Sequence, residues 1–176
     1  MGYEIEIEGI SPLIWNKPDT KENMKRALTK SDREQAETRA YRTEDGNLAL
    51  LNAWIKSCIC NYYVDTAPNK MKNIYKNEIF PRVNISPLLI DIGETDFDIR
   101  KQPILIKQSG RVANIEFPAQ PIRNEWSGKF ILETTMDMLA DDVKKLVEKA
   151  GKYNGLGSNR INGYGRFKVT SFKRLD

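Results

Sequence analysis

Gly155, Gly157, Gly163 and Gly165 share one short stretch, residues 155–167, with Arg160, Tyr164 and Arg166. Each residue type suits one part of a nucleic-acid strand. Glycine lets a backbone approach a phosphate chain closely and leaves amide N–H groups to point at it. Arginine supplies a forked, permanently charged donor for phosphate oxygens. Tyrosine stacks on a base. Together they suit a single strand gripped by its backbone, with little reading of base sequence. The plainer alternative is a flexible turn, which needs the glycines but not the arginines and the tyrosine. Nucleotide-pocket motifs do not fit. A dinucleotide-binding G-x-G-x-x-G follows a strand and opens a helix, whereas here a helical pattern precedes the glycines and a strand pattern follows. A G-x-x-x-x-G-K-[ST] phosphate loop does not occur.

The remaining inventory excludes several chemistries. The chain has no histidine, which excludes His acid–base catalysis, a Ser-His-Asp triad and ordinary zinc sites. Cys58 and Cys60 are the only cysteines. On a helix their side chains point about 200° apart, so they read as buried thiols, not a disulfide or a metal pair. Asp137, Asp141 and Asp142 stand at a helix start, where capping and the helix dipole explain them. Asp91, Glu94, Asp96 and Asp98 form an acidic turn without EF-hand spacing. No cofactor and no metal are expected. Lys+Arg 28 against Asp+Glu 24 gives +4 and a pI near 9.0, a modest surplus that fits a solvated face or a nucleic-acid partner. No apolar run approaches the roughly 18 residues of a membrane span, and the N-terminus reads as an alternating strand, not a signal peptide. A cytoplasmic protein without a membrane partner is expected.

The glycine stretch needs elements to position it. Residues 3–9 alternate, with Tyr3, Ile5 and Ile7 on one side and Glu4, Glu6 and Glu8 on the other, a strand with one wet face. Residues 19–46 mix both charges around sparse apolar anchors (Met24, Ala27, Leu28) and read as a polar insertion, a loop or a weakly held helix. Residues 47–63 predict a helix with Leu48, Leu51, Ile55, Cys58 and Tyr62 on one stripe, capped by Asn47 or Asp45. A polar connector carrying Lys70, Lys72 and Lys76 leads to residues 79–92, an edge strand or two short ones because of Pro81 and Pro87. Residues 97–117 predict a β-ribbon with its tip at Gln108, Ser109 and Gly110; Arg100, Lys101, Lys107 and Arg111 put positive charge on it. A strand follows at 129–136. The helix at 138–150 has Asp137 as its N-cap and Gly151 as its C′ residue. Residues 164–172 predict the last strand. Trp15 and Trp126 read as core, with a surface role as the alternative. With the insertions set aside, the order is β, α, β, β, α, β. It predicts one α+β domain over 1–176: a ferredoxin-like (RRM-like) βαββαβ sheet with two helices on one face. The open face of such a sheet commonly meets single-stranded RNA.

Gly155, Leu156, Gly157 and Arg160, followed by Gly163, Tyr164, Gly165, Arg166 and Phe167, resemble a known family element. They are similar to the C-terminal glycine-rich loop of the CRISPR-associated RAMP (repeat-associated mysterious protein) superfamily, which lies between the last helix and last strand of a ferredoxin-like domain. The opening strand followed by Ser11, Pro12 and Leu13 also resembles the start of such proteins. The specific match covers about fifteen residues, and the element order extends it along the chain. The resemblance implies CRISPR RNA binding, by a repeat endonuclease or by a subunit that coats the guide. Many of the family's endonucleases use a histidine base, which this chain lacks, and members with two ferredoxin-like domains are longer.

The reading that follows is a non-catalytic binder of single-stranded RNA, partnered by guide or repeat RNA, by other CRISPR effector subunits or by copies of itself. Gly155, Gly157, Arg160, Gly163, Tyr164, Gly165 and Arg166 would hold the RNA, joined by Arg100, Lys101, Lys107 and Arg111 of the ribbon. Two alternatives stay open. A metal-independent repeat endoribonuclease would need Tyr41, Tyr62, Tyr153 or a nearby lysine for proton transfer. A viral or mobile-element relative would dock on an effector and block its assembly, using residues 19–46 and exposed tryptophans.

Overall fold

The computed structural model describes residues 1–27 and 29–175; Leu28, one of the expected anchors of the polar segment, lies outside the described residues. The first part of the chain runs β1 (Gly2–Gly9), β2 (Leu13–Ile14), α1 (Lys21–Ala27), α2 (Asp32–Glu37), β3 (Ala49–Leu51), α3 (Asn52–Asp65) and α4 (Lys72–Ile79). Next come β4 (Val83–Ser86), β5 (Leu89–Asp91), β6 (Asp98–Lys101), β7 (Ile104–Gln108), β8 (Arg111–Glu116) and β9 (Ala119–Arg123). The chain closes with β10 (Ser127–Thr134), α5 (Ala140–Tyr153) and β11 (Phe167–Leu175).

The main sheet has strand order β11-β1-β10-β4, antiparallel throughout. With α3 after β1 and α5 before β11, this is the ferredoxin-like βαββαβ arrangement that the pattern predicts. Strand alternation sets its two faces. Tyr3, Ile5 and Ile7 of β1 and Phe130 and Leu132 of β10 are buried with Ile55, Cys58 and Ile59 of α3 and Val143, Val147 and Ala150 of α5. Tyr3 stacks on Phe172 of β11 at 4.9 Å. The opposite face is wet. Its β1 residues are Glu4, Glu6 and Glu8; Lys129 bridges Glu4 (3.0 Å) and Glu6 (3.4 Å), and Lys168 bridges Glu8 (3.3 Å).

Several boundaries move, each for a physical reason. The helix expected from 47 starts at Asn52, because Ala49–Leu51 is held as a strand against β5. Asn47 therefore caps nothing and bonds Asp91 at 2.9 Å, and Leu51 takes the N-cap position without a side-chain bond. The connector carrying the lysines folds as a 3-10 turn, Asn69–Met71, with Lys70, followed by α4 with Lys72 and Lys76, whose Ile79 reaches the core. Of residues 79–92, Val83–Ser86 and Leu89–Asp91 form the two short strands that the prolines suggested, β4 and β5, in different sheets, while Ile79–Arg82 is helical. Leu139, not Asp137, stands at the N-cap of α5, and that helix continues through Gly151 to Tyr153. Gly151 is thus a packing glycine: a Cβ there would lie 2.5 Å from the Phe167 ring.

The polar segment also has structure. Ser31 and Glu34 form a capping box on α2, and Gln35 and Ala36 of that helix are buried. A small sheet of order β2-β9-β6 forms beside it. This sheet divides the expected ribbon. Its first strand, β6, pairs with β9, and only β7 and β8 form the hairpin, turning at Ser109 (φ 51°) and Gly110 (φ 77°). Pro121 sits inside β9, where its carbonyl accepts the Trp15 N–H at 3.1 Å. Trp15 and Trp126 are both buried and donate their indole N–H groups to Ala49 O and Ser11 O, each at 2.8 Å. The surface role considered for them is corrected: they are core.

Candidate nucleic-acid interface

The glycine loop joins α5 to β11 and is bound down along one side to the segment around β2. Leu156 N–H donates to Gly165 O (2.9 Å), Ser158 N–H to Ile14 O (2.9 Å) and Gly165 N–H to Pro12 O (2.8 Å). Arg166 N–H donates to Ser11 Oγ at 2.8 Å, and its carbonyl accepts the Ile10 N–H at 2.8 Å. Leu156 plugs the base of the loop and is fully buried. The glycines serve this close approach. At Gly165 a Cβ would sit 1.8 Å from Leu156 O, and at Gly157 it would sit 2.5 Å from Ile14 O. The expectation that the loop's amides are left for phosphate is corrected at Gly155, Gly163 and Gly165, whose N–H groups donate to Ala150 O (3.3 Å), Arg160 O (2.9 Å) and Pro12 O (2.8 Å). Gly163 stands in open space, ending the short 3-10 turn Arg160–Asn162 with φ 87°.

What the loop presents is side chains. Arg160 is exposed. Arg166 donates from Nη2 to Arg160 O at 3.1 Å, while its Nη1 is buried and meets no acceptor among the described residues. Both arginines line an open groove of about 810 Å³ between the loop and the C-terminal ends of α3 and α5. Asp65 lies in the groove wall with its carboxylate 3.4 Å from Lys72 Nζ, so the groove keeps a positive balance. The charge reaches inward. Burial pushes the Cys58 thiol up to about 12, and the Arg160 and Arg166 guanidiniums pull partly against that rise. Cys60 is pushed up to about 11 by burial. Both cysteines are free and buried, as the C-x-C spacing on a helix suggests.

The ribbon cations are dispersed. Arg100 lies over the Tyr164 ring, 5.1 Å from its centroid, and donates to Gln120 Oε1 (3.1 Å) and to Gln102. This contact ties β6 to the glycine loop. Lys101, the next residue, points the other way, as strand alternation requires, and pairs with Asp32 at 3.0 Å. Lys107 and Arg111 are exposed on the β7–β8 hairpin. Among the tyrosines considered for proton transfer, Tyr153 lines the groove, Tyr62 stacks against it at 6.0 Å, and Tyr41 packs on Trp54. Ser158, Asn159 and Asn61, also in the groove wall, carry no periodic or motif signal that would single them out.

The acidic turn is satisfied within the protein. Asp91 accepts from Gly93 N–H at 2.6 Å, Glu94 pairs with Arg123 at 3.1 Å, and the Arg33 guanidinium holds the Asp96 carboxyl below its usual range. Among the described residues no group of three or more potential ligands is placed to hold a metal, and no helix is long and apolar enough to cross a membrane.

No protein-family model and no curated protein sequence matches the chain. Solved structures do. The type III-B Cmr-beta structure determined by cryo-EM, bound to cognate target RNA, aligns with 98% of this chain at TM-score 0.55 and 14% identity. The chain spans 59% of the length of that Cmr-beta chain. Cmr6 from Pyrococcus furiosus aligns with 99% of this chain and 98% of its own at TM-score 0.51 and 11% identity. At such identities the likeness is one of fold. Both neighbours are CRISPR RAMP proteins, and this chain shares their ferredoxin-like fold.

Proposed function

We propose that this chain is a non-catalytic single-stranded RNA binder of the RAMP type, either a guide-coating subunit or a small relative of a CRISPR effector. The observation that carries the reading is the pair Arg160 and Arg166, set by a docked glycine loop at the rim of an open groove. The loop lies between the last helix and last strand of the sheet, the position the RAMP resemblance requires. Gly155, Gly157 and Gly165 shape the loop; the two guanidiniums meet phosphates. Lys107 and Arg111 extend the positive surface along the hairpin, and other effector subunits or further copies of the chain are the expected protein partners.

Salt dependence of binding tests it. Single strands show a log–log slope of about −0.7 per neutralised phosphate, so six contacts give about −4. Arg160→Ala with Arg166→Ala should weaken binding of a labelled single-stranded RNA and make the slope shallower by about 1.4. Affinity that ignores both salt and this double change rules the reading out. The same RNA, or a repeat hairpin, should stay intact through long incubation in EDTA; cleavage would favour the endoribonuclease.

A further inference from the structure

The groove behind the glycine loop has an aromatic wall that the loop does not supply. Tyr153, the last residue of α5, is 55% exposed and lines the groove together with Arg160 and Arg166. Its ring lies nearly parallel to that of Tyr62, at an interplanar angle of 10° and a centroid separation of 6.0 Å. The Tyr62 ring thus holds the Tyr153 plane in place. The exposed Lys152 places its Nζ over the Tyr153 ring, 5.4 Å from the centroid, where an arriving base displaces it. Ile161 is 92% exposed and lines the same groove. Two exposed apolar side chains in an otherwise polar, positive groove need an occupant with an apolar plane and a negative charge. The buried Arg166 Nη1 without an acceptor is the kind of orphan that a bound anion or water completes. Tyr164, the loop's own aromatic residue, has Arg100 over its ring, and hydrogen bonds to Gln120 and Gln102 fix that guanidinium in place, which leaves Tyr164 a locking role.

We propose that this groove is a one-nucleotide subsite, in which a base of the bound strand stacks on Tyr153 while Arg160 and Arg166 take its phosphate. The proposal rests on the RNA-binding reading and adds the base platform to it. A single strand offers both parts at once: an unpaired base for the ring and a backbone charge for the arginines.

The test compares a short oligouridine with an abasic strand of equal length and charge, using the full chain. Stacking is worth a factor of about 5 to 160 per base. Tyr153→Ala should therefore lose that factor on oligouridine, leave the abasic strand unchanged, and leave the salt slope as it was. Tyr153→Leu, which keeps apolar packing on Tyr62 but removes the aromatic plane, should lose as much. Tyr153→Phe should bind like the parent. Equal loss on both strands, or no loss on either while Arg160→Ala still weakens binding, overturns the subsite and leaves RNA binding in place. Failure of the unaltered protein to bind either strand overturns both.

Discussion

At Gly165 the backbone has φ 72°, and a methyl group there would lie 1.8 Å from the Leu156 carbonyl oxygen. At Gly163 φ is 87°, but a methyl group would meet nothing within 4 Å. These two glycines separate the two meanings of the motif. A left-handed alanine costs about 1–2 kcal/mol through its own backbone, and that is all Gly163→Ala should lose. Gly165→Ala adds a collision with backbone that cannot yield without breaking the bonds from Leu156 N–H to Gly165 O and from Gly165 N–H to Pro12 O. It should lose more than about 3 kcal/mol, since two hydrogen bonds of about 1 kcal/mol each are strained as well. Urea unfolding of the two variants reads the difference; equal losses would mean that the loop is not docked as described. Four glycines among arginines were legible as a motif. Which of them face open space and which thread the fold was not, because that depends on Ser11–Ile14, some 150 residues earlier in the chain.

Among the elements, the β7–β8 hairpin stands apart. Its cross-strand partners Leu105 and Ile115 are both half exposed, as is Val112 opposite Lys107. The strands that flank it close on each other without it, since Lys101 pairs with Ala119. Replacing residues 102–118 with a two-residue Asn-Gly turn, which suits a tight antiparallel connection, should therefore leave a domain that keeps its helical circular dichroism signal and unfolds cooperatively. Loss of Lys107 and Arg111 with it should make the RNA salt slope shallower by about 1.4; an unchanged slope would show that the hairpin never meets RNA. Elements of this kind announce themselves. The hairpin has alternation and a Ser109-Gly110 turn, β1 has its strict period of two, and α5 has apolar residues on one face. Other elements are silent. Strands of two or three residues such as β2, β3 and β5 are too short for any period, and a proline within a strand, as Pro121 is in β9, masks the strand pattern. Each is held by a partner remote in the chain, so its sequence alone carries little of its structure.

For the molecule as a whole, the question is where the strand runs. A ferredoxin-like sheet suggests the open face, as in RRM domains, where aromatic side chains on the central strands stack on bases. Here the aromatic residues of the central strands β1 and β10, Tyr3 and Phe130, are packed in the core, and Phe167 and Phe172 of the edge strand β11 are packed in or against it. The open face instead presents Glu4, Glu6, Glu8 and Glu133 among Lys129, Lys168 and Lys173, with two of the lysines held in ion pairs. Such a face offers phosphate little net charge and no stacking plane, so the strand should follow the loop and groove at one end of the sheet. Glu4 and Glu133 decide between the two paths. The loop joins the sheet where Gly9 pairs with Phe167, while Glu133 lies opposite Gly2. At about 3.3 Å per residue, Glu4 is some 17 Å and Glu133 some 23 Å from that end, beyond the screening length of about 8 Å at physiological salt. Glu4→Gln with Glu133→Gln should therefore leave affinity and salt slope within about twofold of the parent at that ionic strength. If the RNA instead crossed the open face, each carboxylate removed from phosphate contact would relieve about 1 kcal/mol, and the double variant would bind roughly thirtyfold tighter. Titration of labelled single-stranded RNA against the two proteins distinguishes these outcomes, and a large gain would move the binding surface from the glycine loop to the sheet.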